Sequence, residues 1–163
     1  MDKIKEDIVS ILAQVNDPEV PVLSVIDLGI VRDIQINGQE IEVMVTPTYS
    51  GCPAMDVIRF QIQKALKEHG FKNVKISTQL SPAWTTDWMT EEGRKKLKSY
   101  GIAPPNPVQM VCDIRHFHEQ EAIQCPLCHS YNTRLISQFG STPCKALYQC
   151  NECQEPFDYF KCH

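Results

Sequence analysis

The chain is 163 residues long, with 42% hydrophobic and 22% charged residues and a formal net charge of −4. This composition is typical of a globular protein and excludes a long disordered segment, a collagen-like repeat and a coiled coil. The acidic residues are spread over both halves, so neither half has the basic surplus that a phosphate backbone requires, and we expect no nucleic-acid partner. No apolar run approaches the roughly 18 residues of a membrane span. We therefore expect a soluble, cytoplasmic protein without a membrane partner.

The hydrophobic pattern of the first hundred residues predicts a small α+β domain. The predicted elements are a helix over 4–15, hairpin strands over 31–36 and 41–45, a helix over 53–69, a strand over 74–80 and a helix over 91–100. Asn37-Gly38 supplies the positive φ angles of a tight hairpin turn. Thr90 is suited to cap the last helix. The order αββαβα implies a three-stranded sheet.

A proline-rich segment, Ala103-Pro104-Pro105-Asn106-Pro107, separates two regions of different composition. Proline can neither continue a helix nor donate to a β-ladder, so this segment predicts a stiff linker. We place the domains at 1–103 and 122–163, joined by a linker over 104–121. The second domain is too short to bury a self-sufficient core, so we expect a metal to stabilise it.

The cysteines indicate what that metal is. Eight cysteines in a reducing compartment favour metal binding or thiol chemistry over disulfides. Cys125 and Cys128 form one CxxC pair, Cys150 and Cys153 form a second, and four thiolates at this spacing can enclose one tetrahedral Zn²⁺. The pattern predicts a β zinc ribbon with a structural zinc, whose binding stabilises the fold. An iron site and a redox dithiol remain alternatives.

Other potential ligands lie near these pairs. Cys144 and Cys162 are close enough in sequence to substitute for one of the four cysteines. A further group has no paired spacing of its own, and its members are expected to be a buried thiol and hydrogen-bonded or exposed imidazoles: Cys112, His116, His118 and His129.

Cys52 stands apart from the other cysteines and precedes Pro53 at the start of a predicted helix. Free N–H groups and the helix dipole would stabilise a thiolate there, so we predict a lowered pKa and a nucleophile or soft-metal ligand. The alternative is a small residue packed beneath the sheet. Asp17, Glu19 and Asp27 could add oxygen ligands, although capping of nearby backbone is the commoner use of such carboxylates.

Two tryptophans, Trp84 and Trp88, lie in a segment without a helical or strand pattern. Large aromatic residues in such segments often contact partner proteins. Filling of the core is an equally good interpretation.

Several segments resemble known families. Asp17-Pro18-Glu19-Val20-Pro21, Ile26-Asp27-Leu28-Gly29-Ile30-Val31, Val45-Thr46-Pro47 and Gly51-Cys52-Pro53 resemble the metal–sulfur cluster assembly domain of SufT-like iron–sulfur maturation factors. The 81–88 segment, the first CxxC pair and residues 140–163 resemble the PaaD family, also called PaaJ, of the phenylacetyl-CoA epoxidase system.

The resemblance implies a role in aerobic phenylacetate degradation, where a di-iron oxygenase forms the ring epoxide with electrons from a flavin and [2Fe–2S] reductase. Members of the PaaD family are implied to be accessory proteins, not enzymes, that help to assemble the Fe–S or di-iron centre of the reductase or oxygenase subunits. A transient iron or Fe–S site is implied at five positions: Cys52, Asp17, Glu19, Asp27 and Thr46. The alternatives are a non-catalytic, zinc-dependent adaptor and, last, an enzyme with Cys52 as nucleophile, for which His69 is the only nearby histidine in sequence.

Overall fold

A computed structural model describes residues 2–105 and 123–161 of the chain. The helices and strands are α1 (Asp2–Leu12), β1 (Val31–Asn37), β2 (Glu40–Val45), α2 (Ala54–Glu68), β3 (Asn73–Thr78), α3 (Glu91–Ser99), β4 (Ile102–Ala103), β5 (Thr133–Ser137), β6 (Lys145–Cys150) and β7 (Pro156–Phe160), with a short 3₁₀ turn at Thr86–Trp88. The αββαβα order and the α+β class are confirmed. Cys112, His116, His118, Cys162 and most of the expected linker lie outside the described residues.

The first sheet has the order β1-β2-β3, with β1 antiparallel and β3 parallel to β2. Asn37 pairs with Glu40, so Gly38 and Gln39 form the turn of the β1–β2 hairpin. Gly38 has a φ of +63°, but the positive φ predicted for Asn37 is wrong, because Asn37 is the last residue of β1. The parallel pairing of β3 follows from α2, which carries the chain back across one face of the sheet. Alternate β2 side chains face a core that α1 and α2 also line. Fully buried residues of this core include Val43, Val45, Leu12, Ile58 and Ile62.

The long connection between α1 and β1 is fixed by its own backbone. The N–H of Asp17 donates to the carbonyl of Leu23 at 2.8 Å, and the N–H of Val25 donates to Val15 at 2.9 Å. Leu23 and Val25 are fully buried. This connection is therefore a rigid part of the first unit, and it holds Asp17 in a defined position.

Trp84 fills the core instead of marking a partner surface. Its side chain is 6% exposed, and its indole N–H donates to the backbone carbonyl of Leu28 at 2.9 Å. Trp88 is partly exposed, and the Arg32 guanidinium lies 3.5 Å from its ring centroid. The Trp84 contact thus joins the 81–90 segment to the Asp27-Leu28-Gly29 stretch.

The contacts divide the chain into units of Met1–Gly93 and Arg94–His163, so the division falls before the predicted boundary at 103. The physical reason is β4, which pairs in parallel with β7: Ile102 lies opposite Asp158, and Ala103 lies opposite Tyr159. Proline ends this pairing at Pro104.

The second sheet has the order β4-β7-β6-β5, and β6 runs antiparallel to both β5 and β7. The stretches 133–139 and 146–149 between the two CxxC pairs have the strand-like pattern that a zinc ribbon requires, and they correspond to β5 and β6. The sequence pattern did not predict β4 and β7. Among the helices that the structure describes, none is long and apolar enough to cross a bilayer.

Candidate metal centres

The second unit brings the sulfurs of Cys125, Cys128, Cys150 and Cys153 within 4.8 Å of one another. Zn–S bonds of about 2.3 Å in a tetrahedron require sulfurs about 3.8 Å apart. The observed separations between the two CxxC pairs are 3.8 Å for Cys125 to Cys153 and 3.4 Å for Cys128 to Cys150. The cluster therefore has the size and the ligand set of a closed four-sulfur zinc site, with no position left for a substrate.

The two CxxC pairs form the same turn twice. The N–H of Cys125 donates to the carbonyl of Ser130 at 2.9 Å, and the N–H of Cys150 donates to the carbonyl of Glu155 at 3.0 Å. The residue after the second cysteine has a φ of 63° in both turns, at His129 and at Gln154. Sequence reasoning missed this repeat because neither residue is the glycine that usually adopts such a φ.

Backbone N–H groups also act on the sulfurs. The N–H of Cys153, against the effect of burial, lowers the pKa of the Cys150 thiol to about 7, with help from the N–H of Glu152. The N–H of Glu155 favours the Cys153 thiolate, but burial and the three neighbouring sulfurs outweigh it and raise the pKa of Cys153 to about 12. A divalent cation would remove this conflict, because thiolate ligands release their protons when they bind a metal.

Two asparagines tie the turns together. The backbone N–H of Asn151 donates to the carbonyl of Asn132 at 2.8 Å, and their side chains bond at 2.9 Å. The Asn132 amide also donates to a carboxylate oxygen of Glu152 at 2.8 Å. These bonds hold the two pairs in register, and no sequence motif signalled them.

Cys144 lies outside the four-sulfur cluster. Its sulfur is 3.0 Å from the hydroxyl of Thr142, and its backbone carbonyl accepts a bond from the N–H of Lys161 at 3.1 Å. The geometry therefore gives no support to the alternative in which Cys144 replaces one of the four cysteines.

Cys52 lies in the turn before α2 and is partly buried. Burial raises the pKa of its thiol above the ordinary value, and the negative charges of Glu19 and Asp17 raise it further. The backbone N–H of Ala54 lowers it, as the helix position predicts, but this effect is the smaller one. The predicted lowering of the pKa is therefore wrong. Glu19 and Asp17 thus lie within electrostatic range of the Cys52 thiol, although the sequence separates them from it by more than thirty residues.

Asp17 binds backbone N–H groups, and its charge also acts on the Cys52 thiol. One of its carboxylate oxygens accepts the N–H of Glu19 at 2.7 Å and the N–H of Val20 at 2.9 Å. This carboxylate is buried and oriented. Asp17 therefore caps the nearby backbone, as the capping interpretation predicts. The same hydrogen bonds hold its negative charge within electrostatic range of Cys52.

Asp27 is engaged in structural bonds. One carboxylate oxygen accepts both the N–H and the hydroxyl of Ser24, at 2.9 and 2.8 Å. The other accepts the hydroxyl of Thr90 at 3.3 Å. The Thr90 oxygen in turn accepts the N–H of Gly93 at 3.0 Å, which confirms Thr90 as the cap of α3. The capping interpretation of Asp27 therefore fits this geometry.

Thr46 follows β2 and is 1% exposed. Its N–H donates to the carbonyl of Ile30 at 2.8 Å. Its hydroxyl is buried and has no hydrogen-bond partner within the described part of the chain. An unsatisfied buried hydroxyl costs about 1–3 kcal/mol, and a polar ligand that reached this group would offset that cost.

Comparison with known proteins identifies both units. Residues 5–78 match the family model "Iron-sulfur cluster assembly protein", and residues 112–161 match the "PaaD zinc beta ribbon domain". A domain of unknown function from Bacillus anthracis shares the fold, with a TM-score of 0.56 and 21% identity over 59% of this chain and 92% of that one. A conserved hypothetical protein from Thermotoga maritima has a TM-score of 0.50 and 37% identity over 57% of this chain and 92% of its own. The chain is thus an iron–sulfur cluster assembly domain joined to a zinc ribbon.

Similar proteins assign the chain to a particular family. The chain is 49% identical, over 96% of its length and 92% of the relative's, to the Escherichia coli protein named as the D subunit of a "Putative 1,2-phenylacetyl-CoA epoxidase". It belongs to this family of epoxidase D subunits, the PaaD family. It is also 37% identical, over 57% of its length and 90% of the relative's, to an "Fe-S protein maturation auxiliary factor" of Porphyromonas gingivalis.

Proposed function

We propose that this protein is a maturation factor of the phenylacetyl-CoA epoxidase system in aerobic phenylacetate degradation. It assists the assembly of an Fe–S or di-iron centre in the reductase or oxygenase subunits and does not itself catalyse epoxidation. Membership of the PaaD family supports the system, and similarity to Fe–S maturation auxiliary factors supports the type of role.

The observation that carries the proposal is the grouping of Cys52 with Glu19 and Asp17 at the start of α2. A sulfur beside two carboxylates offers soft and hard donors to iron. The two negative charges attract a cation, and one sulfur with two carboxylates is too few ligands for a closed site. The iron or cluster is therefore held as cargo and released readily to a client protein. We also include Thr46 and Asp27 in the proposed site. Thr46 offers its unsatisfied hydroxyl as a donor or acceptor. Asp27 positions the backbone of the connection between α1 and β1 through its bond to Ser24.

The ribbon has a separate role in this proposal. Cys125, Cys128, Cys150 and Cys153 hold Zn²⁺, which supplies folding free energy to the second unit and takes no part in the transfer. Cys125 and Cys150 are fully buried and belong to the hydrophobic core of that unit, so the metal and the core stabilise each other.

The proposal is tested by the iron and acid-labile sulfide content of the oxygenase and reductase, purified from cells that carry the wild-type protein or Cys52→Ser. We expect at least a several-fold loss of iron from one of the two, because the variant removes the sulfur donor. Cys144→Ser is the matched control: it removes a thiol that lies outside both sites and should leave the iron content unchanged. Normal iron in both enzymes with folded Cys52→Ser would contradict the proposal.

A second candidate function is that of an adaptor that holds epoxidase components together. The observation that favours it is a group of exposed apolar side chains on the ribbon, namely Leu127, Tyr131, Ile136 and Phe139. An adaptor predicts that Ile136→Ser with Phe139→Ser dissociates the components, whereas Cys52→Ser changes nothing. Co-purification of the components distinguishes the two functions.

A further inference from the structure

Cys128 differs from the other three members of the four-sulfur cluster in its exposure. Among the residues that the structure describes, Cys128 is exposed, whereas Cys125 and Cys150 are fully buried and Cys153 is partly buried. Its neighbours Leu127 and His129 are exposed as well, so this turn faces solvent. A small solute in water therefore meets the Cys128 sulfur before it meets the other three.

A buried partner sulfur lies directly behind Cys128. The sulfur of Cys150 is 3.4 Å from that of Cys128, closer than the 3.8 Å between the Cys125 and Cys153 sulfurs. The two residues are 22 positions apart and belong to different CxxC turns. A disulfide between them needs only a small adjustment of the side chains. Cys150 is thus accessible to Cys128 but not to solvent.

The exposed sulfur has the form that peroxides oxidise. Bound Zn²⁺ keeps the four sulfurs deprotonated at neutral pH, because thiolate ligands release their protons to bind a metal. The Cys128 thiolate attacks one oxygen of hydrogen peroxide, so that an S–O bond forms and the O–O bond breaks. The second oxygen leaves as hydroxide and takes up a proton to become water. Cys128 is then a sulfenic acid.

Cys150 completes the reaction. Its thiolate attacks the Cys128 sulfur, the S–S bond forms, the S–O bond breaks, and the hydroxide that leaves takes up a second proton. In total the two sulfurs lose two electrons, and one peroxide molecule is reduced to two water molecules. Thiolates then remain only at Cys125 and Cys153, too few for a closed structural zinc site.

We propose that the ribbon is a peroxide-sensitive switch in which Cys128 is the sensing thiolate and Cys150 is the resolving thiolate. Oxidation removes two of the four ligands and with them the metal-binding free energy that folds the second unit. The first unit keeps its own aliphatic core. Reduction of the disulfide by a dithiol restores the ligand set. This inference goes beyond the proposed function and does not rest on it.

The test follows zinc release from the full-length, zinc-loaded protein in hydrogen peroxide with a metal-sensitive dye. Cys128→His keeps four ligands, three sulfurs and one imidazole, which is an ordinary structural zinc set. We expect at least about tenfold slower release from this variant, because the sensing thiolate is gone. Cys153→His is the matched control. It makes the same change in the ligand set but keeps Cys128 and Cys150, so release should stay within about twofold of wild type.

Disulfide mapping of the wild-type protein adds a readout that needs no variant. Free thiols are alkylated after brief peroxide treatment, and mass spectrometry locates the bridge. We expect a bridge between Cys128 and Cys150, and recovery of bound zinc after treatment with dithiothreitol and Zn²⁺. A first bridge between Cys125 and Cys128 would overturn the resolving role of Cys150. Wild-type release rates from Cys128→His, or zinc retained by the wild-type protein in peroxide, would overturn the switch.

Discussion

Gly29 is a residue whose lack of a side chain fixes the path of a distant segment. Its φ is +67°, and an added Cβ would overlap the backbone carbonyl of Trp88. The Asp27-Leu28-Gly29 stretch therefore allows the 81–90 segment to approach closely, and Trp84 and Thr90 bind to the same stretch. This stretch, which belongs to a segment that resembles the cluster assembly domain, thus also has a packing role.

Gly29→Ala should destabilise the first unit by about 2 kcal/mol or more, because it combines a left-handed backbone with a clash. Gly38→Ala is the control: its φ is +63°, but nothing lies within 4 Å of an added Cβ, so it should cost only about 1 kcal/mol. Urea unfolding followed by tryptophan fluorescence measures both. Equal losses would show that the Trp88 contact does not constrain Gly29.

At the scale of elements, each of the two CxxC turns contains a non-glycine residue with a strained, left-handed backbone conformation. His129 is exposed and adopts a φ of 63°, a conformation that glycine adopts without cost. The partner turn has Gln154 in the same conformation. The positive φ places the next residue so that its carbonyl accepts the N–H of Cys125 in the first turn and of Cys150 in the second. These hydrogen bonds offset the conformational cost.

His129→Gly should therefore stabilise the zinc-loaded ribbon by about 0.5–1 kcal/mol and slow zinc loss to a competing chelator, because relief of the left-handed backbone outweighs the freedom that glycine adds to the unfolded chain. Leu127→Gly, in the same turn but without a positive φ, is the control and should speed zinc loss, because glycine there only adds freedom to the unfolded chain. Zinc release is followed with a metal-sensitive dye. Faster release from His129→Gly than from wild type would show that the imidazole itself stabilises the turn.

At the scale of the whole molecule, the two units differ in what stabilises them. The first unit has a core of aliphatic side chains, whereas the core of the second includes Cys125 and Cys150. Both tryptophans of the chain, Trp84 and Trp88, lie in the first unit. Tryptophan fluorescence thus reports on the first unit alone.

Removal of zinc with a strong chelator should unfold the ribbon and leave the tryptophan spectrum unchanged, because metal binding contributes folding free energy only where the ligands lie. Proteolysis would then cut within 123–161 and spare the first unit. One zinc per chain is expected before treatment, in wild type and in Cys144→Ser alike. A red shift of tryptophan emission on chelation would contradict this separation.

The sequence by itself determined the αββαβα order, a β1–β2 hairpin with Gly38 in its turn, the Thr90 cap and the four-cysteine pattern. Each of these depends on residues that are close in the chain, and local periodicity or spacing is enough to define them. The resemblance of the residues around Cys52 and of the ribbon also sufficed to indicate the family.

Only the tertiary structure decided the rest, because the contacts involved join distant parts of the chain. The pairing of β4 with β7 moved Ile102 and Ala103 into the second sheet. Burial and the charges of Glu19 and Asp17 reversed the expected pKa shift of Cys52. The hydrogen bond from the Trp84 indole to the Leu28 carbonyl holds Trp84 in the core. Helix position and composition describe one segment at a time, whereas the pKa of a thiol or the burial of an indole depends on everything that surrounds it.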